Sequence, residues 1–155
     1  MCIRDRNKKE ATDEVIVDGW FKTGDMAKID EDGFITITGR LSRFSKIGGE
    51  MVPHLAVEEV LSKFLDQTPD DDSDDILHVA VTSVPDDKKG ERLVVLYTVD
   101  HKTPDEMRDV LSGEGLPNIF IPSAANFHRV DKLPILGTGK LDLRGIKDMA
   151  NELYQ

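Results

Sequence analysis

Cysteine and long apolar runs are scarce in this chain. Cys2 is the single cysteine among 155 residues, which excludes an internal disulfide framework and indicates a reducing compartment. No apolar run approaches the ~18 residues of a membrane span. The N-terminus is polar and lacks the apolar core of a signal peptide. We therefore expect a cytoplasmic location.

Positive charge is also in short supply. The sequence contains 20 Lys and Arg and 30 Asp and Glu, for a formal net charge of −10 at pH 7. This acidic balance argues against non-specific nucleic-acid binding. An acidic protein partner would need a local basic patch, for which the candidates are Lys8, Lys9, Arg40, Arg43 and Lys46. The length and the 39% hydrophobic content fit an ordinary globular domain, alone or with an appendage.

The patterning predicts an α+β fold, with a small three-stranded sheet, flanking helices and a preceding β-hairpin. The hairpin spans 26–38 around Asp30-Glu31-Asp32-Gly33, and Gly39–Phe44 is predicted as a connection. The predicted sheet strands are 76–84, 93–99 and 126–130, with another short strand at Val15–Val17. The predicted helices are 54–65, a helix capped by Thr103 that runs to about Leu111, and 143–154. The acidic stretch 69–75 is predicted as a solvated loop, with a Ca²⁺ site as the weaker alternative.

A Gly/Thr loop that carries one lysine follows a strand-like run, over Leu133-Pro134-Ile135-Leu136-Gly137-Thr138-Gly139-Lys140. Its small residues let the backbone approach a ligand closely, and a lysine ammonium can reach a phosphate or carboxylate. It is not a Walker A loop, because Leu141 follows the lysine and Pro134 occupies the first glycine position. Taken alone, the stretch is equally typical of a β-to-α turn with a solvated lysine.

Two further motifs precede this loop, at 20–25 (WFKTGD) and 39–50 (GRLSRFSKIGGE). In this order, the three motifs resemble the adenylate-forming superfamily, which includes acyl-CoA synthetases, luciferases and peptide-synthetase adenylation domains. The resemblance covers roughly residues 15 to 150. Segments 43–52 and 133–142 are most similar to the long-chain fatty acid–acyl carrier protein ligases, which are often fused to lysophospholipid acyltransferases.

The resemblance implies that the chain is a C-terminal fragment. Residues 15–41 would be the terminal strands of a missing large N-terminal domain, and residues 42–155 would be the C-terminal lid domain. Residues 1–14, beginning MCIRDR, are interpreted as a disordered tail or an artefact. The fragment would be inactive alone, since the acyl and adenine pockets belong to the missing domain.

The resemblance also implies the chemistry: a fatty acid and ATP form an acyl-adenylate, and a thiol then displaces AMP. Lys140 matches the catalytic lysine of adenylation, Asp25 the aspartate that accepts the ribose hydroxyls, and Arg40 an arginine that contacts the nucleotide. Lys46 is also assigned to binding of the nucleotide or the pantetheine arm. ATP and Mg²⁺ would be bound mainly by the missing domain.

Ser42 occupies the family's hinge position, where Asp or Lys is usual, and small residues can absorb the backbone change of a hinge. Gly48 and Gly49 match the loop that lines the route of the thiol acceptor. Without the resemblance, they would indicate an ordinary turn or bulge beside a strand.

The implied partners are the missing N-terminal domain, a fatty acid and either acyl carrier protein or CoA, without nucleic acid. Association with the inner face of a membrane would arise only through a fused domain. His54, His78, His101 and His128 lack the spacing of metal ligands, so no metal site is predicted. Two alternatives stay open: a non-catalytic binding or regulatory module with the lid fold, and an acyl-CoA synthetase of another type.

Overall fold

The computed structural model describes residues 9–65 and 77–154. The chain divides into two compact units, of which the first ends at Ser42 and the second begins at Arg43. None of the helices in the described ranges is long and apolar enough to cross a membrane. The predicted acidic loop at 69–75 falls outside the described residues.

The first unit consists of one short helix and two antiparallel strand pairs. Its elements are α1 (Lys9–Val15), β1 (Ile16–Val17), β2 (Trp20–Phe21), β3 (Asp25–Ile29) and β4 (Ile35–Arg40). The helix corrects the prediction of a tail over residues 9–14, and it shortens the predicted Val15–Val17 strand by one residue. The acid-rich sequence of α1 has no apolar period, which is why the sequence did not predict it.

The β3–β4 hairpin was predicted from its Asp-Gly turn. Asp30 Oδ1 accepts the Phe34 N–H at 2.8 Å, and Gly33 has φ 86°, a conformation that glycine adopts without strain. Ile29, Ile35 and Ile37 share one face of the hairpin and are 71%, 68% and 68% exposed. The hairpin therefore presents an apolar face that residues 9–42 leave largely exposed.

The second unit contains a five-stranded sheet with helices on both faces. Its elements are β5 (Phe44–Ile47), β6 (Glu50–Pro53), α2 (His54–Leu65), β7 (Val79–Asp86), β8 (Gly90–Tyr97), α3 (Pro104–Gly113), β9 (Phe127–Arg129) and α4 (Leu143–Glu152). Strand β8 pairs with β7 along one edge. Along its other edge it pairs with β5 at Gly90 and, in parallel, with β9 at 95–97.

The core lies on the two faces of this sheet. One apolar cluster joins the sheet to α2 and α3 and includes Val57, Leu61, Val81, Val95, Met107 and Leu111. A second cluster joins the opposite face to α4 and includes Ala80, Val94, Leu96, Leu133, Ile146 and Ala150. Because helices cover both faces, β7 and β8 are buried along most of their length and form nearly continuous apolar runs in the sequence.

The predicted fold class is confirmed, and all three predicted strands are present as β7, β8 and β9. The sheet also includes β5 and β6, for which the sequence predicted no strands, and the predicted Gly39–Phe44 connection overlaps β5 only at Phe44. Ser45 is buried on the same side of β5 as Ile47. A buried serine interrupts the apolar alternation that would have identified the strand.

Candidate functional site

The Lys140 loop is a narrow hairpin-like structure between Pro134 and Asp142. The Asp142 N–H donates to the Pro134 carbonyl at 2.9 Å, and the Leu136 N–H donates to the Lys140 carbonyl at 2.7 Å. Gly139 has φ 82°, a conformation that lets the chain turn before the lysine. The Lys140 side chain is exposed and forms no hydrogen bond or ion pair with the described residues. Its ammonium is available to an external anion.

The base of this loop is fixed to α4. Asp142 caps the helix, because its Oδ1 accepts the N–H groups of Arg144 at 3.1 Å and Gly145 at 3.2 Å. A Cβ at Gly145 would lie only 3.0 Å from the Pro134 Cβ. Gly145 therefore permits a close approach of the loop to the helix. Gly145 was not predicted as a site residue, although a glycine in the first turn of a helix, unfavourable by about 1 kcal/mol relative to alanine, indicates a packing role.

Asp25 and Arg40, both predicted to bind nucleotide, are brought together in the first unit. They are cross-strand partners at the end of the β3–β4 pair, and Arg40 Nε lies 3.2 Å from Asp25 Oδ1. A carboxylate has about four lone-pair sites, so this ion pair leaves acceptor capacity for hydroxyl groups. The pair thus fits the chemistry of a ribose and its phosphates.

An open cleft of about 530 Å³ lies next to this pair, within the first unit. This volume is within the range of small-molecule sites. Two cationic residues line it, Lys22 and Arg40, together with Thr23, Ser42 and one carboxylate, that of Glu14. The cleft therefore offers two positive charges, one negative charge and hydroxyl groups to a polar ligand.

Gly48 and Gly49 form the two-residue turn of the β5–β6 hairpin. Ile47 pairs with Glu50 across the turn, and the glycines have φ values of 58° and 95°. Positive φ at both positions is characteristic of a type I′ turn, which requires residues such as glycine. The Gly48 N–H donates to the Lys89 carbonyl at 2.9 Å, which holds the turn against the β7–β8 connection.

The Gly48–Gly49 turn and the Lys140 loop lie toward opposite ends of β8. Next to the turn, Ile47 pairs with Gly90, the first residue of that strand. On the other side, Gly139 and Ile135 line a cavity of about 320 Å³ with Thr98, which follows the last residue of the strand. An eight-residue strand spans roughly 24 Å. The second unit therefore carries its two predicted functional loops at separate places.

Lys46 and Ser42 lie outside the Gly48–Gly49 turn and the Lys140 loop. Lys46 is exposed on β5 in the second unit, whereas Asp25 and Arg40 belong to the first. Ser42 lies in a single 3₁₀ turn, Leu41–Arg43, and is exposed at the end of the first unit. The predicted site residues are thus distributed over both units.

Directly after Ser42, Arg43 and Ser45 belong to a buried cluster of polar side chains that the sequence did not predict. Arg43 pairs with Glu58, whose Oε1 accepts the Val81 N–H at 2.7 Å. Burial raises the pKa of Glu58, and the Arg43 charge opposes that rise. Ser45 Oγ lies 2.6 Å from His54 Nε2, and burial, with the nearby Arg43 and Lys147 charges, lowers the His54 pKa to about 4.

Metal-ligand clusters are absent from the ranges that the structure describes. No group of three His, Cys, Asp or Glu side chains there could hold a metal ion.

Comparisons with known proteins connect this arrangement to a family. No family model matches the chain. It is 34% identical over 143 residues to 2-succinylbenzoate–CoA ligase of Listeria monocytogenes, covering 92% of this chain and 28% of that protein. It is 32% identical over 147 residues to a long-chain-fatty-acid–CoA ligase of Yersinia pestis, covering 91% of this chain and 23% of that protein.

A solved structure agrees with these relatives. The o-succinylbenzoate-CoA synthetase of Bacillus subtilis, solved with the acyl-adenylate intermediate OSB-AMP, superposes with a TM-score of 0.64 at 27% identity. That match covers 87% of this chain and 26% of the synthetase. The chain thus spans about a quarter of the length of these proteins. It belongs to the adenylate-forming superfamily and corresponds to the C-terminal part of its acyl-CoA ligases.

Proposed function

We propose that this chain is the C-terminal lid of an ATP-dependent ligase that activates a carboxylic acid and transfers its acyl group to a thiol. The observation that carries the proposal is the placement of the Lys140 loop and the Gly48–Gly49 turn toward opposite ends of β8. A domain with this arrangement would present one loop to the reacting centre in each half-reaction and would reorient between them.

In the first half-reaction, a carboxylate oxygen attacks the α-phosphorus of ATP. A new oxygen–phosphorus bond forms, and the bond to the departing pyrophosphate breaks. Lys140 would contact the oxygens of both reactants, because an ammonium without an internal partner can offset the repulsion between two anions. Asp25 would hold the ribose hydroxyls and Arg40 the phosphates.

In the second half-reaction, a thiol sulfur attacks the acyl carbonyl carbon. The carbon–oxygen bond to AMP breaks, a thioester forms, and the thiol proton passes to solvent. The Gly48–Gly49 turn would line the path of the thiol, since glycine backbone allows close approach of a narrow pantetheine arm. Lys46 would lie at the entrance, where its charge attracts an anionic acceptor.

We further propose a long-chain fatty acid as the substrate and acyl carrier protein as the acceptor. The motifs at 43–52 and 133–142 support this choice. An acidic carrier would meet the exposed side chains of Lys46, Lys88 and Lys89 around the Gly48–Gly49 turn. CoA is the alternative acceptor, and the names of the relatives favour it.

The first unit would be the end of the preceding large domain. Its β3–β4 hairpin presents three isoleucines that are about two-thirds exposed, which a preceding domain would cover. The acyl and adenine pockets would lie in that domain, together with the groups that bind Mg²⁺.

The test uses the longer ligase of which this chain would be the C-terminal part. We expect fatty-acid-dependent exchange of pyrophosphate into ATP, followed by thioester formation that is faster with acyl carrier protein than with CoA. The 155-residue chain alone should catalyse no exchange. Exchange by the isolated chain would refute the lid assignment, and faster transfer to CoA would refute the carrier assignment alone.

A further inference from the structure

One carboxylate, that of Glu91, joins three elements of the second unit. Its Oε2 accepts the backbone N–H of Lys46 on β5 at 2.7 Å, and its Oε1 accepts the hydroxyl of Ser83 on β7 at 2.7 Å. Lys147 of α4 donates to Ser83 Oγ at 3.0 Å and lies 3.9 Å from Glu91 Oε1. Glu91 thus binds the strand that leads into the Gly48–Gly49 turn.

The backbone pairing of that strand with β8 is short, although Ile47 also packs in the core and Ser45 contacts His54. Strand β5 pairs with β8 at Ile47 opposite Gly90, and the Gly48 N–H adds one bond to the Lys89 carbonyl. A hydrogen bond to an ionised carboxylate is about twice as strong as a neutral one. The Lys46–Glu91 bond therefore adds a charge-assisted contact to the two backbone attachments that join β5 and its turn to β8 and the β7–β8 connection.

The same group of residues also reaches the helix behind the Lys140 loop. Asp142 caps the N-terminus of α4, and Lys147 lies in the middle of that helix. The Glu91 carboxylate therefore links the hairpin of one functional loop to the helix that supports the other.

We propose that Glu91 is a positioning residue for thiol transfer, which fixes β5 through the Lys46 backbone and thereby holds the Gly48–Gly49 turn in its working orientation. This role rests on the proposed function, because it presumes that the turn lines the thiol path. Glu91 itself touches no reactant in this proposal. A displacement of about 1 Å in such a support typically costs about 10²-fold in rate.

The test compares Glu91→Ala with Glu91→Gln in the complete ligase. A glutamine oxygen can accept the Lys46 N–H, and its amide can donate to Ser83 Oγ, so this variant keeps the geometry and loses the charge. Glu59→Ala, at an exposed glutamate of α2, is the matched control. The readouts are adenylate formation, thioester formation from supplied acyl-adenylate, and hydrogen exchange of peptides from residues 44–53.

For Glu91→Ala, we expect thioester formation to fall about 10²-fold, adenylate formation to stay within threefold, and exchange to rise in 44–53 but not in 104–113. Glu91→Gln should recover most of the rate, and Glu59→Ala should match the wild type. Equal loss in both half-reactions, unchanged thioester formation, or unchanged exchange in 44–53 would each overturn the role of Glu91. If the wild-type ligase forms no adenylate, the proposed function fails and this role fails with it.

Discussion

Arg43, the first residue of the second unit, forms an ion pair with Glu58 of α2, and their side chains are only 17% and 9% exposed. The other oxygen of Glu58 accepts the Val81 N–H from β7. The residue directly after Ser42 is therefore attached to a helix and a strand of the core. If the hinge lies at Ser42, as proposed, we expect its change of backbone conformation to involve residues before Arg43.

Arg43→Ala should destabilise the second unit strongly. It leaves the buried Glu58 carboxylate without its counter-charge, and breaking a buried ion pair in this way costs about 3–5 kcal/mol. Urea unfolding at pH 7, followed by circular dichroism, measures the change in the free energy of unfolding. Arg144→Ala, which removes an exposed pair with Asp148 at 4.0 Å, is the control and should change it by less than about 1 kcal/mol.

The loss of unfolding free energy caused by Arg43→Ala should be smaller in acid than at neutral pH. Burial already raises the Glu58 pKa, and loss of the Arg43 charge removes an opposing effect, so that pKa rises further in the variant. A carboxyl whose pKa is raised on folding contributes stability at low pH and loses it as the pH rises through its folded pKa. The unfolding free energy lost by the Arg43→Ala variant should therefore be smaller at pH 4 than at pH 7. A larger loss at pH 4 would contradict this account.

His54 should make the second unit less stable in mild acid. Its pKa is lowered from 6.5 to about 4 on folding, chiefly by burial. As the pH falls, the His54 ring therefore takes up its proton in the unfolded chain before it does so in the folded protein. The stability contributed by this group is complete above pH 6.5 and is lost as the pH falls toward 4, by about 3 kcal/mol in total. Glu58 acts with the opposite sign in an overlapping range, so the comparison needs a His54→Gln variant.

His54→Gln should therefore flatten the dependence of the unfolding free energy on pH between 6.5 and 4. The direct measurement is an NMR titration of the His54 ring, for which we expect no midpoint above pH 5. A His54 midpoint near 6.5 would show that the ring is solvated and would remove the predicted effect.

Lys140→Ala should separate the two half-reactions of the complete ligase. Loss of a charge at a phosphoryl-transfer centre costs about 10²–10³-fold or more, so adenylate formation should fall by at least that factor. Thioester formation from supplied acyl-adenylate should fall much less, because in the proposed function that step would use the Gly48–Gly49 turn, toward the other end of β8. Lys132→Ala, at an exposed lysine before the loop, is the control. Equal losses in both steps would indicate that Lys140 is structural.

Local signals in the sequence were enough to predict several elements. The bounds of α2, His54–Leu65, follow from its apolar period, and the capping box of Thr103 and Glu106 is present at the start of α3. The Lys140 loop was predicted between a strand-like run and a helix, and the structure has it between β9 and α4. In each case, residues a few positions apart determine the geometry.

The remaining features depend on contacts between distant residues. The Lys46 N–H and the Glu91 carboxylate are 45 residues apart, and no local pattern indicates that they meet. The Asp25–Arg40 pair depends on a register shift between Met26 and Ala27 that the alternation does not predict. Strand β5 was missed because its buried Ser45 is paired with His54, a tertiary contact.

Ser42→Pro tests whether the junction between the units is the hinge. Proline fixes φ near −65° and removes an N–H, so the variant should favour one orientation of the lid and affect the two half-reactions unequally. Ser42 is exposed, and the neighbouring Arg43 keeps its own attachment to Glu58, so the second unit should remain folded. Ser42→Ala, which keeps a free backbone, should leave both rates near the wild-type values. If Ser42→Pro leaves both rates within about twofold, residue 42 is not the hinge. If it unfolds the second unit, residue 42 belongs to a packed element and the boundary lies elsewhere.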